Sequence, residues 1–561
     1  MNNFVKKIIA YIKYYNHNKK KFNYLRSSDS KTLVMVEFFQ YFPSMLAFSH
    51  YIEVITKNFS TKPILYSPTL PMTFFKRCIF FLKCLINPYF HLYKSMGIKN
   101  IIISKKRKKF TKKANEFYKK KLLHVTKSDI ESLKVKNIYI GDLLYDEYLK
   151  FYNKPTLDLN DPVFVNFVKE FLSAFYYWED FFNKKSKSIN SMIVSHTVYL
   201  MGLMCRIAAT KDIAVFAIGI AQSTRVDKKN IFKFDDTKYF KQTFSKLNSR
   251  QKKESLKIGR LSLLNRMRGE MDQKMLLDEQ TDTKVFGSDK RRTKLFKNTG
   301  KVRVLVATHC FTDSVHYYGK PLFPDFFEWL VDIGKLSETH DYDFYIKFHP
   351  AEYDANKQHF EYFKKYKKLK LLPKKTNNNI IFKEKVDAVI TIYGSVGHEY
   401  PLFNIPVINA TTIGPHTSYS FNHYPKNINE YHKLIKNIKK LKVNREKVKN
   451  EIYQYNYLRY ESNFSLIPNY VEIIRKLGVK NHGTSLIFRE YLDSYYSAEY
   501  SDHLNKNILS FIKSKELKFY YFDSINKSFA ENKGWKFYTT TDNSQHHTKN
   551  LESKKHPKLK K

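Results

Sequence analysis

The chain has 561 residues, 43% hydrophobic and 16% aromatic, which is enough for two or three cored domains and too apolar for a chain disordered throughout. Only 16 Gly and 17 Pro exclude a fibrous or linker-dominated protein. The 99 Lys and Arg against 52 Asp and Glu leave a formal charge of +47, partly through an AT-rich type of composition, and narrow the partners to nucleic acid, an anionic membrane surface or an anionic polymer.

Residues 1–29 read as a basic helical lead-in, with apolar pieces too short and interrupted for a signal peptide. TLVMVEFF (32–39) reads as a buried strand, PSMLAFSHYIEVITKNF (43–59) as a helix opened by Pro43, and KPILYSP as a second strand. Strand, helix, strand at this spacing begins a parallel α/β sheet. FFKRCIFFLKCLINPYFHLY (74–93) is the most membrane-like stretch. Lys76, Arg77 and Lys83 interrupt it, so it does not span. It is either a basic amphipathic helix in a membrane interface or a core helix with lysines at its rim. Strands are expected at 99–106 and 137–140, the second running into a Gly-Asp helix start. A long aromatic helix covers 162–183, and INSMIVSHTVYLMGLMCRIAATKDIAVFAIG is strand, helix, strand again. Residues 228–298 are charged and mostly helical, with a linker over 287–302. A second α/β series follows: KVRVLVATH (strand), FPDFFEWLVDIGKL (helix), DFYIKFHP (strand), a lysine-rich helix to about 368, VDAVITIYGSVGHEYPLFNIPVINA (strand, turn, strand) and NINEYHKLIKNIKKL (helix).

The expected fold class is α/β: two doubly wound Rossmann-like domains, 30–290 and 298–480, facing across a cleft. A helical extension (485–533) and a disordered basic tail (534–561) complete the chain. Ligands of such sheets sit beyond the carboxyl ends of the strands, and polar residues gather there. KFHP ends one strand with Lys347, His349 and Pro350; the proline restricts His349 to extended backbone and fixes its aim. ATHCFTDSVHYYG follows another with His309, Asp313 and His316, and YGSVGHE a third with Gly394, Ser395, Gly397, His398 and Glu399. A Gly-Ser helix start can bind phosphate through backbone N–H groups, with Glu399 one turn on to accept from ribose hydroxyls. The plainer alternative is an N-cap serine and a surface glutamate. Four cysteines (Cys78, Cys84, Cys205, Cys310) lack zinc-ligand or disulfide-framework spacing, so a reducing cytoplasm fits; His309, Asp313 and His316 are plausible ligand types but match no strong zinc signature, so no metal is expected. In the first half Glu37, Asp142, Asp146, Ser195 and His196 lie at strand ends. Any of these can be the general base, and Asp142 reads equally well as a cap.

The order KFHP, then YGSVGHEYPLFNIPVINA, resembles bacterial two-Rossmann-domain (GT-B) glycosyltransferases of capsule and surface polysaccharide synthesis: the capsular Kdo transferase, polysialyltransferase and CDP-glycerol glycerophosphotransferase group. IYIGDLLYDEYL and HCFTDSVHYYGKPLFPDFFEWL look like segments of surface-carbohydrate biosynthesis proteins. The family often has Ser-Ser or Ser-Thr where this chain has Gly394-Ser395. The resemblance implies a CMP- or CDP-activated sugar as substrate, with no separate cofactor, and a saccharide or glycolipid acceptor. His349 and Ser395 would lie on the donor phosphate and Glu399 near its sugar, with Lys347, Pro350, Gly394, Gly397, His309, Asp313 and His316 around them. The expected mechanism is inverting, metal-independent transfer, and the resemblance implies work at the cytoplasmic face of the inner membrane, the basic charge docking on anionic lipid. The alternatives are CDP-polyol phosphotransfer on the same fold and a non-catalytic polymer-binding protein. No nucleic-acid-binding module is recognisable, so no specific nucleic acid is expected.

Overall fold

A computed structural model describes residues 2–520 apart from 27–28, 221, 270–285, 287–293, 350–356, 374–375, 463–465, 468–469, 479–480 and 496–497. Residues 287–293 of the expected 287–302 linker and all of the 534–561 tail fall outside the described residues, as does Pro350.

The first sheet contains β1 (Thr32–Glu37), β2 (Thr61–Met72), β3 (Ile101–Lys105), β6 (Ile189–Val194), β7 (Ala214–Gly219) and β8 (Gln222–Val226), in the order β3-β2-β1-β6-β7-β8. All neighbours are parallel except the last pair. The second sheet is wholly parallel: β9 (Val302–Ala307), β10 (Tyr342–Lys347), β11 (Leu369–Leu371), β12 (Ala388–Thr391) and β13 (Val407–Asn409), in the order β11-β10-β9-β12-β13. Both follow the doubly wound pattern in which strand order reverses beside the first strand. The fold is α/β with two Rossmann-like units.

Strands covered on both faces read as unbroken apolar runs. Val34 and Val36 pack toward the helix Phe42–Asn58, whereas Met35 faces the helices Gly141–Tyr152 and Pro162–Lys185. One expected strand is not part of a sheet. Residues 137–140 contribute β5 (Ile138–Tyr139), which pairs only with β4 (Lys134–Val135) as an antiparallel hairpin. Lys136 and Asn137 between them have φ of 51° and 63°, the two left-handed residues of a tight hairpin turn. Two edge strands, β8 and β11, had no apolar signal: QSTRV is polar, and LKL lies in a lysine-rich tract.

The chain crosses between the units twice. The helix Ser249–Met267 packs on the helix Arg445–Asn456 of the second unit. Gly259 makes this possible, since a Cβ there would lie 2.1 Å from the Tyr453 carbonyl oxygen. Beyond the second unit the chain returns: Leu466 N–H donates to the Ile220 carbonyl at 2.9 Å. Ile474, Phe488, Leu504 and Ile508 then enter the core around Val34, Ile52 and Phe216. Leu466 and Ile474, expected in the second unit, and the C-terminal extension, as far as it is described, thus complete the core of the first unit.

An interdomain clamp fixes the seam. His316, after β9, is fully buried with Nδ1 2.7 Å from Asp146 and Nε2 3.3 Å from Glu131, both on the first unit. Nearby, Tyr145 and Thr156 donate to Asp325 at 2.5 Å each. Burial works against the imidazolium, but Asp146 and Glu131 outweigh it and raise the His316 pKa from 6.5 to about 10. The folded-state pKa is raised, so the clamp's stabilisation is complete below pH 6.5 and is lost as pH rises through about 10. The melting-temperature gap between wild type and His316→Asn is therefore expected to narrow across that window; a gap independent of pH would show that the imidazole is not charged there.

Candidate active site at the two strand-tip crevices

Each sheet has its switch point where a ligand crevice is expected, and the chemistry-bearing residues flank both. In the second unit the reversal lies between β9 and β12. His309 follows β9, and Gly394-Ser395 follow β12. The two tips are stitched together: the Thr391 hydroxyl donates to the Ala307 carbonyl at 3.0 Å, and Gly394 N–H donates to that hydroxyl at 3.3 Å. Any larger residue would crowd the turn, since a Cβ at Gly394 would lie 2.9 Å from Thr391 Oγ1 and 3.7 Å from His309 Cε1. His309 is stacked on Phe326 with ring centroids 4.6 Å apart, and its Nε2 accepts from Tyr393 N–H at 3.4 Å. Burial, reinforced by the charge of His349, pushes His309 down to about 3, so it is neutral. His349 lies two residues beyond β10 and is exposed, and its backbone N–H donates to Thr308 Oγ1 at 3.2 Å. The structure therefore brings His309, His349, Gly394 and Ser395 to one rim. Ser395 has helical backbone angles and makes no capping hydrogen bond.

The remaining residues of the turn lie beneath the rim. Glu399 is fully buried, accepting from Arg266 Nε at 3.1 Å and from Asn378 Nδ2 at 3.3 Å. Lys347 donates to the same Asn378, and burial lowers its pKa to about 8. Gly397 is buried against His416, whose Nδ1 would be 2.7 Å from a Cβ there. Arg266 comes from the crossing helix, so the first unit supplies the counter-ion that holds the turn.

In the first unit the reversal lies between β1 and β6. Glu37 ends β1, and Ser195-His196 follow β6. Glu37 is buried and accepts from Ser195 N–H at 2.6 Å and from the Ser195 hydroxyl at 2.8 Å. Burial raises Glu37 to about 7 against the pull of these bonds and of Lys233. His196 Nδ1 lies 2.8 Å from Ser195 Oγ. The serine's one proton is directed at Glu37, so Nδ1–H donates to Oγ and Nε2 carries the lone pair. Burial pushes His196 down to about 3. Lys233 donates to the Ser195 carbonyl at 3.0 Å, and burial lowers it to about 8. Asp142 stands apart: Arg206 binds both its oxygens, at 2.5 and 2.6 Å, in a buried bidentate pair.

The two sets of strand tips share one seam. Tyr199, the first residue of the helix Tyr199–Ala209 and with a left-handed φ of 57°, reaches over to the second unit. Its hydroxyl donates to Asp313 at 2.7 Å and accepts from Ser314 Oγ at 2.7 Å. Tyr393 donates to the Val315 carbonyl at 2.6 Å and clasps the same loop. Asp313 and His316 therefore belong to the seam rather than to the histidine–glycine rim. Sequence reasoning missed Tyr199, Lys233, Arg266, Asn378 and Tyr393. A tyrosine or lysine carries little signal in a chain with 42 Tyr and 99 Lys and Arg.

No protein-family model and no curated protein matches the chain. Among solved structures it is similar to a Thermosulfurimonas dismutans KpsC, beta Kdo 2,4 transferase, with 12% identity over 49% of this chain and 81% of that one and a TM-score of 0.33. It is similar to the wall teichoic acid polymerase TagF, with 10% identity over 91% and 99% of the two chains and a TM-score of 0.20. It is also similar to the Neisseria meningitidis UDP-GlcNAc 2-epimerase bound to UDP-GlcNAc, with 10% identity over 82% and 99% and a TM-score of 0.19.

Proposed function

We propose that the chain is a glycosyltransferase that moves a sugar from a CMP- or CDP-activated donor to a saccharide or glycolipid acceptor of a capsule or surface polysaccharide. The observation that carries this reading is the meeting of two sets of switch-point strand tips along one seam, one bearing a glycine turn and histidines, the other a carboxylate–serine–histidine relay. The donor's phosphate lies on the rim of His309, His349, Gly394 and Ser395, where His349 and backbone N–H groups stabilise the departing charge in a metal-independent transfer. The acceptor hydroxyl faces His196. Nε2 takes its proton as the hydroxyl oxygen bonds to the anomeric carbon and the bond to the donor phosphate breaks, inverting that carbon. The Nδ1 proton passes to Ser195, and the serine's own proton to Glu37. A pKa near 7 suits Glu37 to receive it. Glu399, with Lys347 and Asn378, holds the turn in place from below.

Thermal-shift measurements with CMP, CDP, UDP and GDP test the donor assignment. A cytidine nucleotide at a hundred times its dissociation constant is expected to add about 2.7 kcal/mol of stability and raise the melting temperature. A shift with UDP or GDP alone would change the donor class, and no shift with any of the four would remove the reading.

A further inference from the structure

The helix Phe74–Ile86, FFKRCIFFLKCLI, is apolar on nearly every side, yet only Cys84 is buried. Phe74 is 75% exposed, Phe75 72%, Leu82 63% and Ile86 82%. A stripe of this kind on a water-soluble surface marks a binding face. The helix Asn3–Lys21 presents a second one, with Phe4 67% and Ile12 50% exposed. The short helix Pro88–Ser95 packs against both, and the Tyr11 hydroxyl donates to its Pro88 carbonyl at 2.8 Å. Thirteen residues make about 20 Å of helix, too short for a hydrocarbon core of about 30 Å. No helix among the described residues is long and apolar enough to cross a membrane.

The charge carried by these two helices themselves is of one sign, and the acidic group Asp493 on this face is paired with Lys13 at 3.4 Å. There is no Asp or Glu from Met1 to Ser28, and none between Glu53 and Glu116, an interval holding fourteen Lys and Arg. Lys76, Arg77 and Lys83 sit on the exposed helix itself. A groove under it, lined by Cys78, Phe81, Leu85 and Phe90, has Lys94 and Lys99 among its walls. Apolar side chains interleaved with a large excess of cations complement the acyl chains and phosphates of an anionic bilayer; a protein partner would call for acidic or hydrogen-bonding counterparts that nothing here selects.

The surface also lies beside the candidate site. The helix follows β2, whose carboxyl end points the same way as that of β1. At its far end Asn87 donates to Gln40 at 2.9 Å. Gln40 adjoins Phe39, whose ring packs edge-on to His196 with centroids 5.7 Å apart.

We propose that the helices Asn3–Lys21 and Phe74–Ile86 form one docking surface that seats the protein in the interface of an anionic lipid bilayer. Docking stands independently of the transferase reading. Its corollary, an acceptor carried on a lipid and delivered beside His196, rests on that reading.

The test is co-sedimentation of the full chain with vesicles of phosphatidylcholine alone and of phosphatidylcholine with phosphatidylglycerol. Wild type is expected to pellet with the anionic vesicles, and less so as salt is added. The double variant Phe75→Asp/Leu82→Asp is expected to lose at least about tenfold in vesicle affinity, two buried apolar contacts being removed, while keeping its melting temperature and its nucleotide-induced shift. Lys76→Gln/Arg77→Gln/Lys83→Gln should lose the preference for phosphatidylglycerol. Wild type remaining in the supernatant with both vesicles, or a double variant that binds like wild type, overturns the proposal. So does a dimer that this double variant dissociates in the absence of any vesicle binding, because the face would then belong to a second copy. Vesicle binding without any nucleotide-induced shift would leave the docking intact and remove the transferase reading alone.

Discussion

Replacing His349 by alanine is expected to lower kcat by about 10²–10³-fold, the effect of removing one preorganised donor from a developing anion. His349 is exposed two residues beyond β10, so stability should change by no more than about 0.5 kcal/mol. The same substitution removes a positive neighbour from His309, whose pKa is held down partly by that charge. The His309 imidazole should therefore titrate at a higher pH in the variant, a shift readable from its ring proton resonances. A variant with wild-type kcat would take His349 out of the mechanism. A variant with lowered kcat but an unmoved His309 would place its action away from this rim.

The architecture was legible wherever an apolar run was long enough to be covered on both faces. VRVLVA, YDFYIK and TLVMVE are the centres of the two sheets, and helices of 3.6 periodicity separate them. Illegible elements were those stabilised by position rather than by composition. β8 and β11 are edge strands that need no apolar pattern, and the 137–140 segment looked like a sheet strand because two left-handed residues cannot be read from Lys-Asn.

The candidate site was legible in one respect and not in another. Strand ends followed by His, Gly and Ser could be seen one at a time, because each lies within a few residues of its strand. What each polar group does there depends on a partner far along the chain. Glu37 meets Ser195 across 158 residues, His316 meets Asp146 across 170, and Arg266 meets Glu399 across 133. No local pattern reports such pairings. They separate residues alike in sequence: Asp142 and Glu37 both end strand-like segments, yet Asp142 is locked to Arg206, and Glu37 is bound only by a serine that can rotate its proton.

That difference makes Glu37 the more informative carboxylate to change. Glu37→Gln is expected to reduce kcat by about 10²–10⁴-fold, the range for loss of a general base. A carboxylate accepts from both Ser195 N–H and Ser195 O–H. A glutamine amide has one acceptor oxygen and one donor nitrogen. With its oxygen on the backbone N–H, its NH₂ faces the hydroxyl and turns the serine proton toward His196. Nδ1 must then accept, the ring proton moves to Nε2, and the acceptor hydroxyl meets a donor where a lone pair is needed. The pH profile separates this from a packing defect. Burial raises Glu37 to about 7, so wild-type kcat should climb as pH rises through about 7 and Glu37 ionises. The glutamine variant should show no such limb. Its melting temperature should not fall, since the substitution removes a desolvated charge of nearly the same shape. A rising limb that survives in Glu37→Gln would assign the titrating group elsewhere and leave Glu37 as a structural acceptor for the loop after β6.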